Sequence, residues 1–130
     1  LKRLIDADVL IGALDTHDAH HAQSRRRLSE WRERQDVVAI SAVNLTEVLV
    51  APAADPKVLA TAREAIKALG IEVHLPNEAI AIEAARLRGR YPISLSDAYC
   101  LATAKHTKAS LASYDQKILK AAQRESVSTA

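Results

Sequence analysis

The sequence predicts an α/β domain, a largely parallel sheet with helices on both faces. Three observations carry that expectation. Short apolar runs alternate with longer stretches of helical period along the whole chain. Residues that start or stop helices stand at the junctions, among them Ser41, Pro56, Gly70, Asn77, Gly89 and Ser96. The core must also be built from small aliphatic residues, because the chain holds no Phe, no Met and one Trp. That supply suits helices packed closely on a sheet.

The elements follow in order. Arg3 to Ile5 reads as a short strand and Asp8 to Leu14 as a helix, with Asp8 as its N-cap. Asp18 to Arg34 is a longer, charged helix. Val37 to Ile40 is an apolar strand, and Ser41 caps a helix that runs to about Ala51, where Pro52 ends it. Pro56 to Leu69 is helical, with Pro56 in the first turn and Gly70 as the stop. Ile71 to Leu75 is a strand, followed by a helix from Asn77 to Arg88 closed by Gly89. Ser96 is expected to cap a helix from Asp97 to about Thr107. Ala109 to Ser113 is a strand, Gln116 to Gln123 a helix, and the tail beyond Glu125 a last short strand.

At 130 residues, 48% hydrophobic and 26% charged, residues 1–130 form one expected domain with a sizeable core. A single cysteine, Cys100, leaves no internal disulfide. With no signal peptide visible and no apolar run of the roughly 18 residues that a membrane span needs, the expected setting is cytoplasmic and membrane-free. The chain begins at Leu1 without an initiator methionine, which suggests a trimmed start. The net charge is only +2, but basic residues cluster at Arg25 to Arg27, Arg32 and Arg34, Arg86 to Arg90, and Lys105 and Lys108. Such blocks fit a polyanion partner and, equally, solvated helix faces.

The acids are the informative feature. In an α/β sheet, ligands bind beyond the carboxyl ends of the strands. Asp6 directly follows the first strand and Asp115 closely follows the last. Asp97 heads a helical stripe shared with the apolar Cys100, Leu101 and Ala104. Glu47 and Asn44 form a narrow polar stripe on a helix that is otherwise rich in Val and Leu and expected to be mostly buried. Each acid also has an ordinary explanation: Asp8 and Asp115 as caps, Asp97 as a first-turn acid, Glu47 as the partner of a buried Arg. Together at one sheet edge they would repel strongly, and a divalent cation would remove that cost. Hard oxygen donors without a His or Cys cluster favour Mg²⁺, with Mn²⁺ an alternative, over zinc.

In order along the chain, LIDADVLIGAL, AISAVNLTEVL, YPISLSDAYCLATAKH and ASLASYDQKIL resemble the acid-bearing segments of the PIN-domain family, and within it the VapC-type toxins of bacterial toxin–antitoxin systems. The resemblance covers nearly the whole chain. It implies a three-layer α/β/α sandwich and a metal-dependent endoribonuclease. Asp6, Glu47, Asp97 and Asp115 would be its catalytic acids, with Asp6, Asp97 and Asp115 holding the metal. Ser113 matches a supporting Thr/Ser position, and Asn44 and Asp8 would also support the site. Asp8 departs from the family, which more often has Ser, Thr or Asn there. The products would carry a 5′-phosphate and a 3′-hydroxyl. The implied partners are an RNA substrate, a cognate antitoxin whose segment occupies the active-site groove, and a second copy in a homodimer.

Other features weigh less. His17, His20 and His21 lie within helical reach of one another, but no further ligand stands nearby. Trp31 reads as packing or a dimer contact. The scarcity of aromatics argues against recognition by base stacking, leaving phosphate contacts and shape. Two rivals remain: a catalytically silent PIN-like interaction module, and a haloacid-dehalogenase-type phosphatase suggested by IDADVL. The latter has Leu10 where Thr or Val is expected and lacks a later Gly-Asp pair.

Overall fold

The computed structural model describes all 130 residues. Four strands, β1 (Lys2–Ile5), β2 (Val37–Ser41), β3 (Glu72–His74) and β4 (Ser110–Ala112), alternate with seven helices. The helices are α1 (Ala7–Leu14), α2 (His21–Glu33), α3 (Ala42–Leu49), α4 (Pro56–Ala68), α5 (Glu78–Arg90), α6 (Leu95–Thr107) and α7 (Gln116–Arg124). The strand order is β3-β2-β1-β4 and every pairing is parallel. All strands therefore deliver their carboxyl ends to one edge.

Side-chain alternation splits the core between the two faces. Leu4, Ala39 and Leu111 point to one side, where they meet Ile80, Leu87, Leu101 and Ile118 from α5, α6 and α7. Their neighbours Ile5, Ile40 and Ala112 point to the other, against Val9, Leu10, Leu28 and Ile66 from α1, α2 and α4. The result is the expected three-layer sandwich. On α6, Ala98, Ala102 and Ala104 are fully buried, and their small side chains let that helix lie close to the sheet.

Several boundaries differ from expectation. Asp6, not Asp8, caps α1, accepting a hydrogen bond from the Ala7 N–H at 2.8 Å. The long charged helix starts at His21 rather than Asp18, because Asp15 and Asp18 hold residues 15–20 in turns by accepting the N–H groups of His17 and His20. α5 runs through Gly89 to Arg90, and Pro92 follows closely. Its anchor, the buried Leu87, outweighs a helical glycine's cost of about 1 kcal/mol. Ser94, not Ser96, caps α6 by accepting from the Asp97 N–H. Helix α3 stops at Leu49, and a short 3₁₀ turn covers Pro52–Ala54. The tail makes a single parallel bridge from Thr129 to Leu111 rather than a strand. The cap at Ser41 forms as the sequence indicates, and Asn77, expected as the first residue of its helix, is its N-cap.

Candidate functional site

The site is built where strands end and helices begin. β1 passes into α1 with no loop, so Asp6 closes the strand with its N–H, which donates to the Ala112 carbonyl at 2.8 Å, and starts the helix with its carboxylate. It is buried. Asp8 follows in the first turn of α1, where its Oδ2 accepts from the Tyr114 N–H at 2.9 Å. Its Oδ1 is buried with no hydrogen-bond partner. Such an orphaned carboxylate oxygen is costly in a folded protein.

Ser113, just past β4, ties this corner together. Its Oγ donates to Asp6 Oδ2 at 2.8 Å, lies 3.3 Å from Asp8 Oδ2, and accepts from the Asp115 N–H at 3.0 Å. Asp115 caps α7 through the Lys117 N–H at 2.9 Å. Asp97 sits in the first turn of α6, half-buried.

Glu47 is placed differently from its sequence expectation. α3 is only partly buried, and Glu47 lies on its exposed side. Its partners are not an Arg. Asn44 Nδ2 donates to its Oε1 at 3.2 Å and Ser96 Oγ donates to its Oε2 at 3.1 Å. Asn44 itself is fully buried and also donates to the Ser96 carbonyl at 3.1 Å, joining α3 to the head of α6. Ser96 was not among the expected site residues. The S-x-x-D spacing from Ser94 to Asp97 is the signal for it: with Ser94 as the cap, the Ser96 hydroxyl is free to meet Glu47.

The five acids feel one another. Burial, then the charge of Asp8, pushes the Asp6 carboxyl up to about 7, with Asp97 adding to the rise and the Ser113 hydrogen bond opposing it. Burial also raises Asp8, against the hydrogen bonds from Tyr114 and Ser113, and Asp115 raises it further. Asp97 is raised by burial, with Ser94 opposing and the charges of Asp115 and Glu47 reinforcing. Cys100, fully buried beneath them, has its thiol pushed up by burial and then by the same acids. None of the five takes part in an ion pair. No three metal-ligating side chains converge into a ready-made cage. The arrangement is a group of unpaired acids whose donors are all hard oxygens, with an unpartnered oxygen on Asp8.

The histidine cluster serves other ends. His21 Nδ1 lies 2.8 Å from the Gly12 carbonyl, and the His20 ring stacks on Tyr114. Trp31 is buried, with Arg27 and Arg3 against its ring at 5.1 and 5.6 Å.

Residues 3–124 match the PIN domain family, and the chain belongs to it. The haloacid-dehalogenase alternative is thereby set aside. Similar solved structures include FitAcB from Neisseria gonorrhoeae (TM-score 0.71, 21% identity, 98% of this chain and 95% of that one). VapC20 from Mycobacterium tuberculosis, described as a Sarcin-Ricin loop cleaving toxin, superposes with a TM-score of 0.74 at 18% identity, covering 92% of this chain and 94% of that one. A toxin–antitoxin complex from Klebsiella pneumoniae gives a TM-score of 0.70 at 25% identity, covering 90% and 89%. No curated protein sequence matches the chain. No helix is long and apolar enough to cross a membrane.

Proposed function

We propose that this chain is a divalent-metal-dependent endoribonuclease, the toxin of a type II toxin–antitoxin pair. The observation that carries the reading is the set of uncompensated acids at the carboxyl edge of the sheet. A fold that raises Asp6 to about 7 and leaves Asp8 Oδ1 without a partner has a place for a cation. Asp6, Asp97 and Asp115 would hold Mg²⁺ or Mn²⁺, with Asp8 beside them. When bound, the ion acidifies an attacking water and offsets charge on the phosphoryl oxygens. The protein's own groups do the rest. Ser113 orients Asp6 through its 2.8 Å hydrogen bond and positions Asp115 through its N–H. Asn44 and Ser96 fix Glu47 at the rim, where it can take up a proton from the water.

Beside Glu47 runs an apolar groove of about 490 Å³, lined by Ile11, Leu14, Val48, Val58 and Ala62. It supports the antitoxin part of the proposal, since a partner segment lying there would reach Glu47. RNA as substrate, a homodimer and a cytoplasmic site of action complete the reading. The test compares cleavage of a panel of structured RNAs by wild type and Asp97→Asn, with Mg²⁺ and with chelator. Cleavage by wild type with metal alone is the expected result. Equal cleavage by both proteins would overturn the placement of the site at Asp97, and no cleavage by either would leave the interaction-module reading in its place.

A further inference from the structure

At the edge of the acid cluster stands a rigid aromatic stack. Tyr114 lies between Ser113 and Asp115 in sequence, and its own N–H donates to Asp8. Its ring is pinned at the hydroxyl, 2.7 Å from Ser24 Oγ, and Arg27 sits against the ring 5.7 Å from the centroid. The His20 imidazole stacks on it with centroids 4.0 Å apart and planes only 8° from parallel. Asp18 holds His20 from below, accepting its backbone N–H at 2.8 Å and lying 3.7 Å from Nδ1. The His20 side chain is nevertheless 46% exposed, so much of it meets solvent although Tyr114 covers one ring face.

We infer that the open face of His20 is a nucleobase subsite, which stacks one unpaired base of the RNA beside the acids. This rests on the ribonuclease reading and deepens it. Neither the acids nor Ser113 offers a base a flat surface, and the Tyr114 ring already has His20 and Arg27 against it. His20 ends a preformed column, so a flat π-system can add to it without first ordering a side chain. Stacking on an imidazole or aromatic ring is a common way to hold an RNA base, and it is tolerant of base identity. The base must be splayed out of its helix to reach the ring. The substrate at this nucleotide is therefore single-stranded: a loop, bulge or end, and not a continuous duplex. The general scarcity of aromatics still holds, since this subsite needs one histidine and one tyrosine.

The test uses the full chain and fluorescent single-stranded RNA oligonucleotides that it cleaves, with duplex versions as controls. His20→Ala should raise KM about tenfold with little change in kcat, while His20→Phe, which keeps the stack, should stay near wild type. Binding measured without turnover, in the Asp97→Asn background, should fall by the same factor with His20→Ala. Single abasic substitutions scanned along the oligonucleotide should find one position that weakens wild type about tenfold and leaves His20→Ala unchanged. The inference is overturned by a His20→Ala enzyme with wild-type KM, by His20→Phe failing as His20→Ala does, or by abasic effects that simply add to the mutation. A wild-type protein that neither binds nor cuts RNA removes the ribonuclease reading and this subsite with it. Normal cleavage with an indifferent His20 removes the subsite alone.

Discussion

Two carboxylates, Asp6 and Glu125, occupy opposite electrostatic worlds. Glu125 follows α7 and accepts from Lys105 Nζ at 2.8 Å, from Arg90 at 2.8 Å and from the Tyr91 hydroxyl. Lys105 also binds Glu83 at 2.6 Å, so the network clamps α5, α6 and the end of α7. Those hydrogen bonds, Lys105 first, hold Glu125 down at about 2. Asp6, buried and with acids for neighbours, is pushed up to about 7. The chain has enough basic residues to pair its acids, yet none forms an ion pair with the acids at the carboxyl edge of the sheet. The Glu125 network pairs its charge within the fold, and the Asp6 cluster has no cation of its own.

The comparison can be broken most sharply at Asp97. Asp97→Asn is expected to reduce RNA cleavage on the order of 100-fold or more, judged by initial rates with Mg²⁺. Its metal-free unfolding midpoint should hold or rise, because one repelling charge is gone. A large fall in that midpoint would mean the acid is structural.

Glu125→Gln should do the reverse. Losing its charge-assisted hydrogen bonds should cost about 2 kcal/mol in urea unfolding. Cleavage per folded molecule should be unchanged. A loss of activity without a loss of stability would join the two regions that the structure keeps apart.

The pH dependence distinguishes them next. Asp6 titrates near 3.8 unfolded and about 7 folded, so between these values the unfolded chain loses its proton first. Metal-free stability attributable to Asp6 is therefore full below about pH 4 and is lost as pH rises through 7. Glu125 acts in the other direction and lower down: its contribution is present above 4.5 and fades as pH falls toward 2. Thermal melts of wild type and Asp6→Asn without metal should converge at pH 4 and separate toward pH 8, with Asn the more stable there. Mg²⁺ or Mn²⁺ should raise the wild-type midpoint more at pH 8 than at pH 5. A flat difference across pH would refute the assignment.

The smallest effect is expected at Ser113. Ser113→Ala removes one hydroxyl that serves Asp6 and Asp115, with an expected cost of about 1 kcal/mol. Cleavage should fall further than stability suggests, because Asp6 loses its orientation. Equal cleavage by this variant and wild type would leave Ser113 as a turn residue only.

Much of this was legible in the sequence, and the misses share a cause. Strand–helix alternation located β1, β2 and β4, and with them the edge where Asp6 and Asp115 stand. The cap at Ser41 was readable because it precedes a clean helical period, and the start of α5 was found to within one residue at Asn77. Asp6 was harder, since a direct strand-to-helix junction leaves no loop, and one residue both ends β1 and caps α1. Ser94 and Ser96 both fit as caps by type, and only the Asp97 spacing separates them. Gly89 reads as a stop, but burial of Leu87 carries α5 past it. The exposure of Glu47 was not readable, because it depends on how α3 leans over the sheet edge. The His20–Tyr114 stack joins residues 94 apart in sequence, and no local pattern announces it.

The Ser113 hydroxyl carries one hydrogen and faces two acceptors, 2.8 Å away on Asp6 and 3.3 Å away on Asp8. One hydrogen cannot serve both, so it goes to the nearer acceptor on Asp6, and Asp8 Oδ2 is left with the Tyr114 N–H at 2.9 Å. Two acids that share one hydroxyl are thus unequal: at these oxygens the first is held by a side chain, the second by the backbone.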